Sequence, residues 1–313
     1  MRQHAISTSL VVGLLISILC APLISANNST ISSDTNWSGT IILDSDIIVS
    51  SGSTLTIEPN TIVDGGDGFA IEVYGTLVAE SSYFFSSAQP TAQSSHGQGL
   101  WQGLVIKSGG SATITDVEIQ NTNVGIKSEG TLIVDNLTVI DSYLGVKNYG
   151  TANIEEFHAE SIDYEGIMNS GNLVLSLANI SNASSGIQSS GTLEVTNSNF
   201  SQVGTVIDAN SGEVFADNLD MNKVSVGLSS VAGVKFSASN ISGVDVSLLI
   251  DMGNSDDFVV SSVEVSGDIL AKSNDASQTK ISDVEFIVTN SGQTPVVEQS
   301  LSLIHISEPT RPY

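Results

Sequence analysis

Cysteine, arginine, histidine and aromatic residues are all scarce in this 313-residue chain, which has one Cys, four His, 5% aromatics and nine Lys plus Arg against 34 Asp plus Glu. Each scarcity closes off a class of protein. The single cysteine, Cys20, sits inside an apolar N-terminal run, so neither a disulfide framework nor a cysteine-ligated metal is available to the rest of the chain. A formal charge of −25 repels a phosphate backbone, which excludes nucleic-acid binding through counterion release, and it disfavours anionic membrane surfaces as well. His4 and His305 fall in the terminal segments, and the remaining pair, His96 and His158, lies too far apart in sequence to seed a zinc cage. What is plentiful is small and apolar: 40% hydrophobic residues and 28 glycines, enough for a core and against global disorder.

Both ends stand apart from the body. Residues 1–26 carry one early cation, Arg2, then an almost uncharged apolar run, and end Leu-Ile-Ser-Ala. This is the pattern of a secretory signal peptide, and the run is shorter than the ~20 residues a membrane span needs. At the other end, residues 301–311 (LSLIHISEPTR) break the Gly, Ser, Val and Asn texture before them. They resemble the in-frame translation of a transposase adapter used in building sequencing libraries, which implies a non-native tail over 301–313 and a natural chain continuing past Ser300. Residues 27–300 then hold seven lysines, no arginine and a net charge of −26.

One repeat organises that body. Glycine pairs five residues apart recur as Gly125 and Gly130, Gly145 and Gly150, Gly166 and Gly171, and Gly186 and Gly191, advancing by 20, 21 and 20 residues. After each second glycine, apolar residues fall at offsets two, four, seven and nine, as in Leu132, Val134, Leu137 and Val139. Alternation at two and four is a strand period, the jump to seven marks a bend, and seven and nine begin a second strand. Ile126, Val146, Ile167 and Ile187, each after a first glycine, begin a third. Three short strands in about 20 residues make a coil that stacks on its neighbours ~4.8 Å apart, with glycine turning the corners. The period predicts an all-β solenoid of about ten coils of 20 to 21 residues over 27–300, a rod ~50 Å long, with a polar insertion at 86–99. Leucine-rich repeats are excluded by the absence of leucine-dominated positions and of any helix-period stretch.

The segments GSTLTIEPNT (52–61), IEVYGTLVA (71–79) and WQGLVI (101–106) resemble the first coils of right-handed parallel β-helix proteins of the pectin-lyase-like superfamily, and the likeness covers roughly residues 37–300. That resemblance implies the right-handed fold. It does not imply a single function, because the superfamily includes lyases, hydrolases, tailspikes and non-catalytic surface proteins.

Outward residues at equal offsets form columns, and one acidic patch stands out: Asp116 and Glu118, Asp135, then Glu155 and Glu156 beside His158 on consecutive coils. Such oxygens suit a hard cation, so the patch is a candidate calcium site, and the competing reading is a solvated acidic face. The resemblance implies that a lyase would pair such a cluster with a base, for which Lys127 and Lys147, at one offset on neighbouring coils, are the candidates. No catalytic residue set is assigned; Asp256 and Asp257, and His96 before Gly97, read as chance. Asn136, Asn197 and Asn218 share offset six, where stacked amides can form a structural ladder, and eight Asn-x-Ser/Thr sequons are scattered along the chain. The sequence reading is therefore a secreted or cell-surface, non-catalytic solenoid for adhesion or glycan contact. Its alternative is a calcium-assisted polysaccharide lyase or glycoside hydrolase.

Overall fold

Short apolar alternations closed by glycine every 20 or 21 residues can bury their inward face only by coiling and stacking, and the computed structural model has that form. It describes residues 24–25, 29–88, 101–253, 257–272, 280–288 and 297–298, which contain strands, turns and bends and no helix. Of the expected signal peptide all but Ile24–Ser25, and likewise the centre of the expected insertion with His96, the Asp256 position and residues 301–313, lie outside the described residues. The chain is a parallel β-solenoid of about 11 turns with roughly 21 residues per turn. The count agrees with the ten or eleven coils that the glycine period implies.

Each coil contributes one strand to each of three sheets. The first sheet holds Ser111–Thr115, the second Val117–Gln120 and the third Val124–Ser128. In the next coil Thr131–Ser142 passes through the first two sheets without a break, and Leu144–Asn148 enters the third. The pairings among the described strands are parallel, and the core column of the first sheet keeps its register: Leu77, Ala112, Leu132, Ala152, Leu173 and Leu193 oppose one another in turn. These residues face inward and are essentially fully buried, as are Val139, Phe157, Ile180 and Phe200 from the second sheet. Burying one Leu, Ile, Val or Phe stabilises by about 1.5–3 kcal/mol, so the core column rather than any one contact holds the rod together.

The bends have three different solutions. Between the first and second sheets one residue adopts a left-handed conformation: Asp116, Asn197, Asn218 and Asn240 have φ of 52°, 52°, 54° and 54°. Between the second and third sheets Asn121, Asp141 and Asn182 do the same at 52°, 49° and 52°. Asn and Asp tolerate this region because their short polar side chains bond locally. At the third bend the reason for glycine differs from the expected conformational freedom. Gly130, Gly150, Gly171 and Gly191 do not have positive φ; a Cβ on Gly150 would instead overlap the Gly130 carbonyl oxygen of the coil before, and the overlap repeats from coil to coil. Close stacking, not turning, demands glycine there. Gly125, Gly145, Gly166 and Gly186 face the core, where a Cβ would press on Val139, Phe157, Ile180 and Phe200.

Buried amides close the third bend. Asn148 Nδ2 donates to Asn169 Oδ1 at 2.9 Å, Asn169 Nδ2 donates to Ser189 Oγ at 3.2 Å, and each Asn Oδ1 accepts the N–H of the glycine two residues on. This interior ladder is distinct from the column at offset six. There Asn218 Nδ2 donates to Asn197 Oδ1 at 2.8 Å on the exposed side, and Asn136 Nδ2 donates to Asp116 Oδ1 at 3.1 Å.

Leu177 is the misfit in the first bend column: it is 52% exposed yet holds φ of 53°. Leucine gains nothing there and bears a left-handed penalty of roughly 1 kcal/mol relative to asparagine. Leu177→Asn will therefore raise the thermal midpoint by a few degrees in a calorimetric scan, and an unchanged or lower midpoint would contradict the strain assigned to this corner.

Candidate functional site

The outer faces of the three sheets carry different chemistry. The sequence-derived carboxylates lie on the first two and the corner between them. Asp116 occupies the left-handed corner and accepts from Asn136, Asp135 and Glu155 project from exposed positions at the end of the first sheet, and Glu156 opposes Asn136. Glu118 opposes Thr138, which opposes His158, on the second sheet. Glu118 accepts from Gln120 Nε2 at 2.5 Å, and His158 Nε2 lies 3.7 Å from Glu160. Among the described residues no group of three or more His, Cys, Asp or Glu side chains converges around a point where a metal ion would sit.

Lys127 and Lys147 are directly opposed, as their spacing implied, but on the third sheet. The base and the carboxylate cluster that a lyase reading would combine are thus on different faces. The spacing also concealed an acidic partner: Lys127 Nζ donates to Glu129 Oε1 at 2.7 Å, two residues along the same strand face. That bond holds the Glu129 carboxyl below its usual range. One coil earlier Lys107 pairs with Glu72 at 2.7 Å, which raises the Lys107 ammonium. Exposed pairs of this kind stabilise by at most about 1 kcal/mol, so their main effect is to fix side-chain positions.

Tyrosines complete this strip. Lys107 lies 5.9 Å from the Tyr74 ring centroid, and Lys127 and Lys147 lie 5.6 Å and 5.4 Å from that of Tyr149. Tyr143 and Tyr164, on consecutive coils at the opposite edge of the third sheet, have ring centroids 4.8 Å apart and tilted by 41°. Tyr74, Tyr149 and Tyr164 are 43%, 45% and 50% exposed, so ring faces are open to solvent at both edges of one sheet. Lysines 107, 127 and 147, three of the seven in the body, also stand here. Elsewhere the outward Tyr83 and Phe85 stack on one another and Phe215 is exposed, but among the described residues no lysine lies over these rings.

Between the two edges lies a residue that sequence reasoning passed over. Glu165 is only 6% exposed, although it stands on the outer side of the third sheet. Its position follows from a register shift: Ile162 opposes Ala183, whereas Glu165 opposes Ser185, so this coil carries one extra residue just before Glu165. Bulges of this sort re-aim side chains. Leu144, at the matching position one coil back, is buried yet does not join the core cluster, which marks the column as outward-facing. Glu165 Oε2 has no hydrogen-bond partner, and the neighbouring Ser185 hydroxyl is spent on the Thr205 carbonyl at 3.2 Å. Burial pushes the Glu165 carboxyl above the ordinary carboxylate range, a backbone hydrogen bond and Lys147 oppose the shift, and Asp208 adds to it.

The signals for this strip were present in sequence in weak form. Lys127 and Glu129 alternate as same-face neighbours on a strand, and Tyr143 and Tyr164 recur 21 residues apart. The Glu165 position needed the extra residue in its coil, which breaks the 20-residue count.

No protein-family model and no curated protein matches the chain. Solved structures of similar form include the periplasmic alginate epimerase AlgG, 9% identical over 81% of this chain and 78% of that one with a TM-score of 0.42. The Dettilon tailspike protein gp208 is 10% identical over 82% and 62%, with a TM-score of 0.43. PfbA, a surface adhesin of Streptococcus pneumoniae, is 9% identical over 86% and 88%, with a TM-score of 0.37. Likeness at this level assigns no activity to the chain. Among the described residues no helix is long and apolar enough to cross a membrane.

A carboxyl whose folded-state pKa is raised contributes stability fully below its unfolded value, and that contribution is lost as pH rises through the folded-state value. Glu165→Gln cannot ionise. Its thermal midpoint will therefore gain on that of the parent protein as pH is raised from about 4 to about 7, the span above the ordinary Glu pKa. A difference that stays constant with pH would mean that Glu165 is not desolvated in solution.

Proposed function

We propose that this protein is an exported, surface-exposed solenoid that binds an extracellular glycan across the outer face of its third sheet. One observation carries the reading: exposed tyrosines at both edges of that face, with lysines held over their rings, on a very acidic chain. Aromatic rings receive the apolar faces of sugar rings, and lysines supply donors to sugar oxygens without the bulk of arginine. The flat, repeating face of a parallel sheet suits an extended polymer better than a compact ligand. Export follows from the reading of residues 1–26 as a signal peptide.

A catalytic alternative has a specific observation in its favour, the raised pKa of Glu165, since a buried carboxyl is what a general acid requires. The carboxylates assigned from sequence, however, lie on other faces. The two readings separate in one assay. Affinity electrophoresis through gels containing neutral or acidic polysaccharides will retard the protein, and Tyr149→Ala will weaken retardation roughly tenfold, the scale of one lost aromatic contact. The same incubations will release no new reducing ends and no unsaturated products. Their appearance, abolished in Glu165→Gln, would replace binding by cleavage; an absence of retardation by every polysaccharide would remove the glycan role.

A further inference from the structure

The third sheet contains an acceptor that the fold leaves unused. Glu165 is more than nine-tenths buried, one of its oxygens has no partner, and it lies among Tyr164 on its own strand, Tyr143 and Lys147 on the coil before, and Ser185 on the coil after. A buried, unpartnered polar oxygen costs about 1–3 kcal/mol, a cost that a folded protein carries where a ligand later supplies the missing partner. Tyr164 beside it is half exposed and Tyr143 part-exposed, and side chains at exposed positions change rotamer within nanoseconds, so movement of these rings opens a path to the oxygen without opening the core.

We propose that Glu165 and the Tyr143–Tyr164 pair form a subsite for one neutral pyranose unit of the bound glycan, the rings taking a sugar face and the free Glu165 oxygen accepting a sugar hydroxyl. This rests on the glycan-binding reading and adds the class of sugar. Neutrality follows from the surroundings. Glu165 is carboxylate-bearing itself, Asp208 on the same face raises its proton affinity, Asp163 lies beside Tyr164, and the one cation acting on it is Lys147, whose side chain also lies over the Tyr149 ring. A uronate placed here would set a second carboxylate against these acids. A hydroxyl instead brings a proton to the vacant oxygen and no charge.

The subsite makes binding depend on pH in a fixed direction. A sugar hydroxyl donates more strongly to the ionised carboxylate than to the neutral acid, so ligand and ionisation favour each other. Affinity should rise as pH passes upward through the Glu165 transition. The charged groups acting on it are Lys147, which opposes the shift, and Asp208, which adds to it; Asp163, Tyr143 and Tyr164 stand beside it, and burial and the Tyr164 hydroxyl push the Tyr143 phenol above its ordinary value.

Isothermal titration of the purified full chain with cello-, manno- and galacto-oligosaccharides and with oligo-uronates, at about pH 4.5 and about pH 7.5, tests this. At least one neutral oligosaccharide should bind, with affinity several-fold higher at the upper pH. Glu165→Gln, nearly isosteric and free of the buried charge, should lose about tenfold at the upper pH and show no pH dependence. Tyr164→Ala, at an exposed position, should weaken binding with its pH dependence kept. Equal affinity and equal pH profile in Glu165→Gln and the parent would overturn the subsite. If Tyr149→Ala alone weakens binding, the wider glycan strip stands and the Glu165 subsite falls. Binding of uronates alone, or of nothing, also overturns it, and the second of these removes the glycan reading too.

Discussion

Backbone register between consecutive coils is the constraint on which everything else in this molecule depends. Each strand meets its partner in the next coil residue by residue, so the choice of side chain at one offset is judged against the same offset above and below. Leucine or alanine in the core column, asparagine at the buried bend and glycine at the close-packed bend are all answers to one question, namely what can repeat every ~4.8 Å along the axis. The core is accordingly a set of columns rather than a cluster. No disulfide and no metal cage among the described residues contributes to holding it.

The architecture was legible because register imposes period, and period survives in sequence even where no single residue is diagnostic. Alternation at offsets two and four, then seven and nine, located the inward residues of the first two sheets, and the bend between them fell where Asn and Asp sit in the left-handed region. The role of glycine was harder to read. A glycine needed for its φ and one needed for the absence of a Cβ look the same in a sequence, and at Gly130, Gly150, Gly171 and Gly191 the structure assigns the second role. The interior amide ladder of Asn148 and Asn169 was overshadowed for a similar reason: asparagine is common on the surface of this chain, and only burial separates the two uses.

The candidate site was far less legible, and the cause is geometric. Sequence reasoning looked for chemistry where like charges accumulate, and carboxylates accumulate wherever an acidic protein meets water. The third sheet instead assembles unlike residues: Tyr74, Lys107, Glu129 and Tyr149 follow one another in one column and Lys127 and Lys147 stand in a neighbouring one, so no offset repeats a single residue type along the strip. Glu165 is set apart by the extra residue that precedes it, a departure from the period that a search for regularity discards. Regularity marks the scaffold here, and the departure from it between Ile162 and Glu165 places a carboxylate where the period alone would not.

The glycine stack at the third bend has a further consequence. Gly130, Gly150, Gly171 and Gly191 each stack on the glycine of the coil before, none of them in the left-handed region, so a chain cut at one of them meets closely similar surroundings at any other. A duplication or deletion of one whole coil would leave every remaining column intact, so the length of the rod is free to drift over evolutionary time while the bulged coil and its neighbours travel as an unbroken cassette. Length is thereby heritable by counting coils, separately from the side chains that any one coil presents.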